Sequence, residues 1–201
     1  MNKEKKIERQ LISSPLGDDD IKKFLPNAKI IKYSDLKKYN NIEELLPNNK
    51  SYSIILYETE PNKGHWTCIM RYNDKNRGDL IEFFDSLADD GEPDSQLNWN
   101  NKKTNKMLGQ GQQLLKPLLH KTYLPVIYNK FKFQSEGNKR DGNNINTCGK
   151  HCVFRIRNLL DCNRNLEDYY NYINSIKKGS KNTFDEIVTH LCSPDANKLL
   201  K

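Results

Sequence analysis

Three side chains have types and neighbours suited to covalent chemistry: Cys148, His65 and Asp85. Cys148 lies in Asn146-Thr147-Cys148-Gly149-Lys150-His151-Cys152, His65 in Gly64-His65-Trp66, and Asp85 in Phe84-Asp85-Ser86. A thiol attacks a carbonyl only as its thiolate. A histidine can take the thiol proton, and a carboxylate can hold that imidazole in the useful tautomer. The chain supplies the set in the order His, Asp, Cys, each at a point where the local pattern starts or ends a regular element. Thiol hydrolysis is the chemistry such a set can do.

The elements that position them follow from periodicity. Tyr52 to Tyr57 is an apolar, β-branched run of strand length, and Glu60-Pro61-Asn62-Lys63-Gly64 is a turn. Residues His65 to Tyr72 alternate as a second strand, and Asp79 to Phe84 form a third after a polar turn. Short turns between sequential strands predict an antiparallel meander. In a meander the start of the second strand lies near the end of the third, so His65 and Asp85 should share one sheet edge. Thr147 to Leu160 is the strongest predicted helix, with Val153, Phe154, Ile156, Leu159 and Leu160 as its apolar stripe.

Cys148 therefore falls at a helix N-terminus, where unpaired N–H groups and a partial positive charge favour a thiolate and can hold an oxyanion. Gly149 leaves room for a substrate backbone to approach. Gln134 closes a predicted short strand, Tyr128 to Gln134, and its amide could be a second oxyanion donor. The competing bases are weaker. His151 projects along the helix of Cys148, and His120 sits in a helix C-terminal turn where a cation is favourable. Cys68, Cys162 and Cys192 lack polar companions and read as structural, while Cys152 suits the apolar stripe.

Further helices are predicted from Asp18 to Leu25 (stopped by Pro26), Ser34 to Leu46, Gln110 to Lys121 with a kink at Pro117, Leu166 to Ile176, and Thr183 to Leu191. Residues 1–10 are charged and expected to be frayed. Residues 88–105 and 135–144 read as polar loops.

At 201 residues the chain suits a single domain spanning 1–201. Hydrophobic residues make up only 35 %, with a mean hydropathy of −0.89, so the core must be small and the surface polar. No apolar run approaches bilayer length and no apolar stretch follows the charged N-terminus, so a soluble, intracellular protein is expected. Five cysteines without paired short spacings read as free thiols. No Cys-x-x-Cys pair is present, and no metal or cofactor is expected. The net charge of +7 invites a nucleic-acid reading. Yet the chain holds 26 Lys and 25 Asn against 7 Arg, the pattern of an AT-rich coding sequence. Scarce arginine argues against sequence-specific recognition and leaves nonspecific DNA contact open.

Residues 64 to 154 carry a fuller pattern: His-Trp, a strand ending in Asp before Ser, then Gln, then Cys-Gly opening a helix. It resembles the cysteine protease superfamily that includes the adenovirus protease (adenain) and the SUMO-specific proteases. Thr147 to Cys152 and Phe84-Asp85-Ser86-Leu87 are most similar to versions encoded by virophages, Polinton-type elements and giant viruses. The resemblance implies an α+β, papain-like fold in which a small mixed or antiparallel sheet packs on a central helix carrying Cys148. It also implies His65 as general base, Asp85 as its orienting partner, Gln134 as oxyanion donor, and Trp66 beside the substrate channel. One departure stands out: thirteen residues separate Gln134 from Cys148, more than is usual in the family.

The resemblance further implies a viral endopeptidase cutting capsid or other virion precursors after Gly-Gly or Gly-x-Gly motifs. Such an enzyme would act as a monomer in the host cytoplasm (the viral factory) and in the virion. Two alternatives keep part of this picture. One is a protease removing SUMO- or ubiquitin-like modifiers, for which about 50 residues before His65 leave little docking surface. The other is a non-enzymatic basic virion protein holding nucleic acid through its lysines, with salt-sensitive binding.

Overall fold

A computed structural model describes residues 3–88, 92–137 and 144–192. The composition suits one domain; the chain packs as two compact units, residues 28–131 forming one and the segments before and after them the other.

The 28–131 unit is built on a five-stranded mixed sheet in the order β1 to β5. Its centre is the predicted meander: β2 (Tyr52–Glu60), β3 (Lys63–Asp74) and β4 (Gly78–Phe84), antiparallel throughout. Two short edge strands run parallel to their neighbours, β1 (Lys29–Lys32) beside β2 and β5 (Val126–Tyr128) beside β4. Ile55 and Tyr57 of β2, Ile69 of β3 and Phe83 of β4 form one buried core with Leu36 and Leu118. Burying such side chains stabilises by about 1.5–3 kcal/mol each.

Several expectations change here. The strand predicted over Tyr128–Gln134 ends at Tyr128, and Phe133 is buried in the other unit among Tyr169, Phe184 and His151. The helix predicted over Ser34–Leu46 is two 3-10 turns, Tyr33–Lys38 and Ile42–Glu44. Asn41 breaks it by accepting from the Glu44 amide and starting a new turn. The 88–105 segment, expected to be a loop, carries a 3-10 helix at Ser95–Trp99 and then α3 (Lys102–Met107), capped by Asn101. From the predicted 110–121 helix only α4 (Leu115–Leu119) forms. Gln110 is buried instead, its side-chain amide pairing with both backbone groups of Glu58 as a neighbouring strand would.

The second unit is helical: α1 (Lys3–Ser13), α2 (Asp18–Phe24), α5 (Cys148–Cys162), α6 (Leu166–Ser180) and α7 (Phe184–Cys192). Helices α2, α5, α6 and α7 follow prediction within a few residues. The 1–10 segment does not: residues from Lys3 belong to α1, where Ile7, Leu11 and Ile12 form a half-buried stripe. Within the predicted 135–144 loop, residues 138–143 lie outside the described residues, and no helix or strand occupies the others. Together the two units make an α+β protein. Among the described residues no helix is long and apolar enough to cross a membrane.

Candidate functional site

His65 and Asp85 meet as the meander predicts. Cys68 pairs with Phe84 at the end of the β3–β4 ladder. Continuing that register one step sets Thr67 across from Asp85, and His65 lies two residues on from Thr67, on the same face. The His65 Nε2 lies 2.7 Å from Asp85 Oδ1. A carboxylate only accepts, so Nε2 carries the proton in this pair. Gly64 fixes where His65 begins: a Cβ there would stand 1.9 Å from the Tyr57 carbonyl oxygen, so only glycine lets β3 lie this close to β2. Side chains alternate along β3, so Trp66 points to the face opposite His65.

Asp85 is 1 % exposed, and its carboxylate is held on both oxygens. The Leu87 amide donates to Oδ1 at 2.9 Å and the Gln96 side chain to Oδ2 at 2.6 Å. Its backbone is gripped by one buried amide, Asn129, which accepts from Asp85 N–H and donates to Asp85 C=O. Burial alone would raise the carboxyl pKa. The His65 charge and hydrogen bond, with the Leu87 and Gln96 donors, outweigh it and hold the group below the ordinary carboxylate range. Trp99 meets the His65 ring edge-on, with centroids 4.8 Å apart. Gln96 and Trp99 share the Ser95–Trp99 turn, which Asp94 anchors by accepting from the Tyr33 hydroxyl and the Lys116 amide. A wall of packed side chains thus limits the swing of the imidazole.

The candidate nucleophile belongs to the helical unit. Cys148 is the first residue of α5 and 6 % exposed. Gly149, buried, is the second. Thr147, at the cap position, turns its hydroxyl away from the helix and donates to Asp185 Oδ1 at 2.5 Å. The α5 amides are therefore not capped by Thr147, which leaves the first turn suited to an incoming oxyanion. Gln134 is 6 % exposed, and its Nε2 donates to the Ile145 carbonyl at 3.3 Å, three residues before Cys148. It stands in an irregular segment and not at a strand end, yet it borders the segment that leads into Cys148 despite the thirteen-residue separation.

His151 forms a second imidazole–carboxylate pair, its Nε2 3.2 Å from Asp185 Oδ1. It is wholly buried, whereas His65 and Cys148 retain 7 % and 6 % exposure. His151 thus serves packing. His190 pairs with Glu8, and His120 is exposed at the end of α4. Cys68, Cys152 and Cys192 are buried, and Cys162 is exposed. Burial pushes the Cys192 thiol up to about 12, away from reactivity. Among the described residues no group of His, Cys, Asp and Glu could hold a metal ion.

Asn146 and Lys150, flanking Cys148, cap the end of α1. Lys150 Nζ donates to the Leu11 and Ser14 carbonyls, each at 2.7 Å. Asn146 donates through its backbone to Ile12 and through its side chain to Ser13. Four carbonyls at a helix end that lacks internal donors are thereby satisfied. Burial pulls the Lys150 amine from 10.5 down to about 8, against the opposing pull of Cys148, Cys192, Asp185 and Asp20. The unfolded chain keeps this proton to higher pH, so the stability the amine contributes is least below pH 8 and recovers as pH rises toward 10.5. Lys150→Met should lower the unfolding free energy by about 1–3 kcal/mol near pH 9. Urea unfolding across pH should show the gap from wild type narrowing as pH falls from 10.5 toward 8 and levelling off below it.

No family model matches the chain. The uncharacterized protein V9 of Sputnik virophage is 33 % identical over 175 residues, which cover 87 % of this chain and 91 % of that one. The chain belongs to the V9 family. Membership ties it to a virophage lineage, on a match that runs over most of both chains.

Proposed function

We infer that this V9-family protein is a cysteine endopeptidase of the adenain type that cleaves virion precursor proteins after glycine-containing motifs. Cys148 attacks the peptide carbonyl and passes its proton to His65, whose Nε2 is engaged by Asp85. The α5 amides and Gln134 receive the oxyanion, and His65 returns the proton to the leaving amine. Water, activated by His65, then hydrolyses the thioester. A narrow channel passing only residues without side chains would account physically for a preference for glycine.

The observation that carries this reading is the His65–Asp85 pair: 2.7 Å apart, buried, and locked by Gln96, Leu87 and Asn129. The buried His151 also has a carboxylate held on both oxygens, so what sets His65 apart is that its ring keeps 7 % exposure and can meet a substrate. The start of α5 supports it independently, with Cys148 at a helix N-terminus where a thiolate is favoured. A peptide vinyl sulfone ending in Gly-Gly should label Cys148 alone among the five cysteines. Labelling spread over other cysteines, or none, overturns the reading.

Asp85→Asn tests the tautomer. An amide in place of the carboxylate can turn its NH2 toward the ring and favour the wrong imidazole tautomer, and the charge that stabilises the imidazolium is gone. Turnover of a Gly-Gly peptide should fall on the order of 10³- to 10⁴-fold, with weak residual activity. Wild-type turnover in this variant would remove Asp85 from the mechanism.

A further inference from the structure

We propose that Asp185 is a positioning residue, tying the backbone that carries Gln134 to the backbone that carries Cys148 so that the two sides of the oxyanion site keep a fixed separation. This deepens, and rests on, the peptidase function proposed above.

Asp185 is the second residue of α7, where an acidic side chain gains from the helix dipole while facing water. It is instead 2 % exposed. Its carboxylate accepts from three groups: the Ser135 backbone amide at 2.9 Å, the Thr147 hydroxyl at 2.5 Å and the His151 ring at 3.2 Å. Ser135 follows Gln134 directly, and Thr147 directly precedes Cys148. The Gln134 side chain adds a further bond between the same two stretches, onto the Ile145 carbonyl. Both ends of the long connection between Gln134 and Cys148 are therefore clamped to one buried anion.

The physical need for such a clamp follows from the length of that connection. A connection constrains the distance between its ends less tightly the longer it is. Oxyanion donors must lie about 2.7–3.1 Å from the developing charge, and a misplacement of about 1 Å can cost roughly 100-fold in rate. Pinching the segment at its base isolates the site from the segment's length. The loss of solvation at Asp185 is offset by its donors, with His151 contributing both a hydrogen bond and a favourable charge, and the carboxyl stays below its ordinary range.

The test uses the full chain, with wild type, Asp185→Asn, Asp185→Ala and Thr147→Val. Two rates are compared: turnover of a fluorogenic peptide ending in Gly-Gly, and alkylation of Cys148 by iodoacetamide, which builds no oxyanion. Asp185→Asn should lose roughly 100-fold in kcat with KM within about threefold, while alkylation stays within about threefold of wild type. Thr147→Val, lacking one bond to the clamp, should lose roughly tenfold in kcat and serves if the Asp185 variants do not fold. Wild-type kcat in the folded variants overturns the proposal. So does an alkylation rate that falls in step with kcat, because that reports general damage to the nucleophile. Wild-type protein without turnover sinks the peptidase function and this role with it; active wild type beside an equally active Asp185→Asn sinks the clamp alone.

Discussion

Replacing Cys148 by alanine should abolish cleavage of a Gly-Gly-containing precursor, with turnover down by roughly 10⁴-fold or more and the fold intact. In the proposed mechanism the Cys148 thiol forms the acyl-enzyme, so its removal takes away the nucleophile. Only one sulfur is lost at the first residue of α5, so the melting temperature should shift little. Cys152→Ala is the contrast. That side chain is fully buried one turn further along α5, and its loss should cost stability of about 1–2 kcal/mol while turnover persists. Electrophoresis of the precursor beside thermal melts of both variants separates chemistry from packing. Processing by Cys148→Ala would end the covalent mechanism.

The second large effect concerns the base. His65→Ala should also reduce turnover by roughly 10⁴-fold, because the thiol then keeps its proton at neutral pH. The structure offers a rival imidazole on the nucleophile's own helix, His151, with its own carboxylate. Its complete burial bars it from exchanging protons with a substrate. His151→Gln should therefore retain measurable turnover, while His65→Ala, which also melts lower because buried Asp85 loses its partner, is inactive even where it is fully folded. The reverse pattern would transfer the catalytic role to the His151–Asp185 pair.

What the sequence made legible was what periodicity and element ends can encode. β2 to β4 and α5 follow from alternation and an apolar stripe. The His65–Asp85 encounter follows from the meander, because a turn of a few residues leaves β3 and β4 a single register. Cys148 was readable because helix N-termini have a recognisable polar-to-apolar onset. The supporting polar groups have no such signal. Gln96, Asn129 and Asp185 act across separations of 11, 44 and up to 50 residues, and each looks locally like a solvated side chain.

The misread segments share that cause. α1 looks like a charged tail because the donors that cap it, Asn146 and Lys150, stand more than 130 residues away. β1 is a four-residue strand with a lysine at each end, too short to show alternation, and its parallel pairing with β2 is a tertiary fact. The 88–105 segment has no apolar period, since its short helical turns are held by caps and by the Asp94 anchor. Gln134 was placed at the end of a strand that stops six residues earlier; what keeps it beside the nucleophile segment is its own bond to Ile145.

The most direct measurement is the pH dependence of Cys148 alkylation by iodoacetamide, in wild type and in His65→Ala. If His65 takes the thiol proton, wild-type Cys148 should react well below the ordinary thiol pKa of about 8.5, and the variant's profile should move up toward that value. Superimposable profiles in the two proteins would show that the imidazole does not govern the thiol, and would contradict the proposed chemistry at its root.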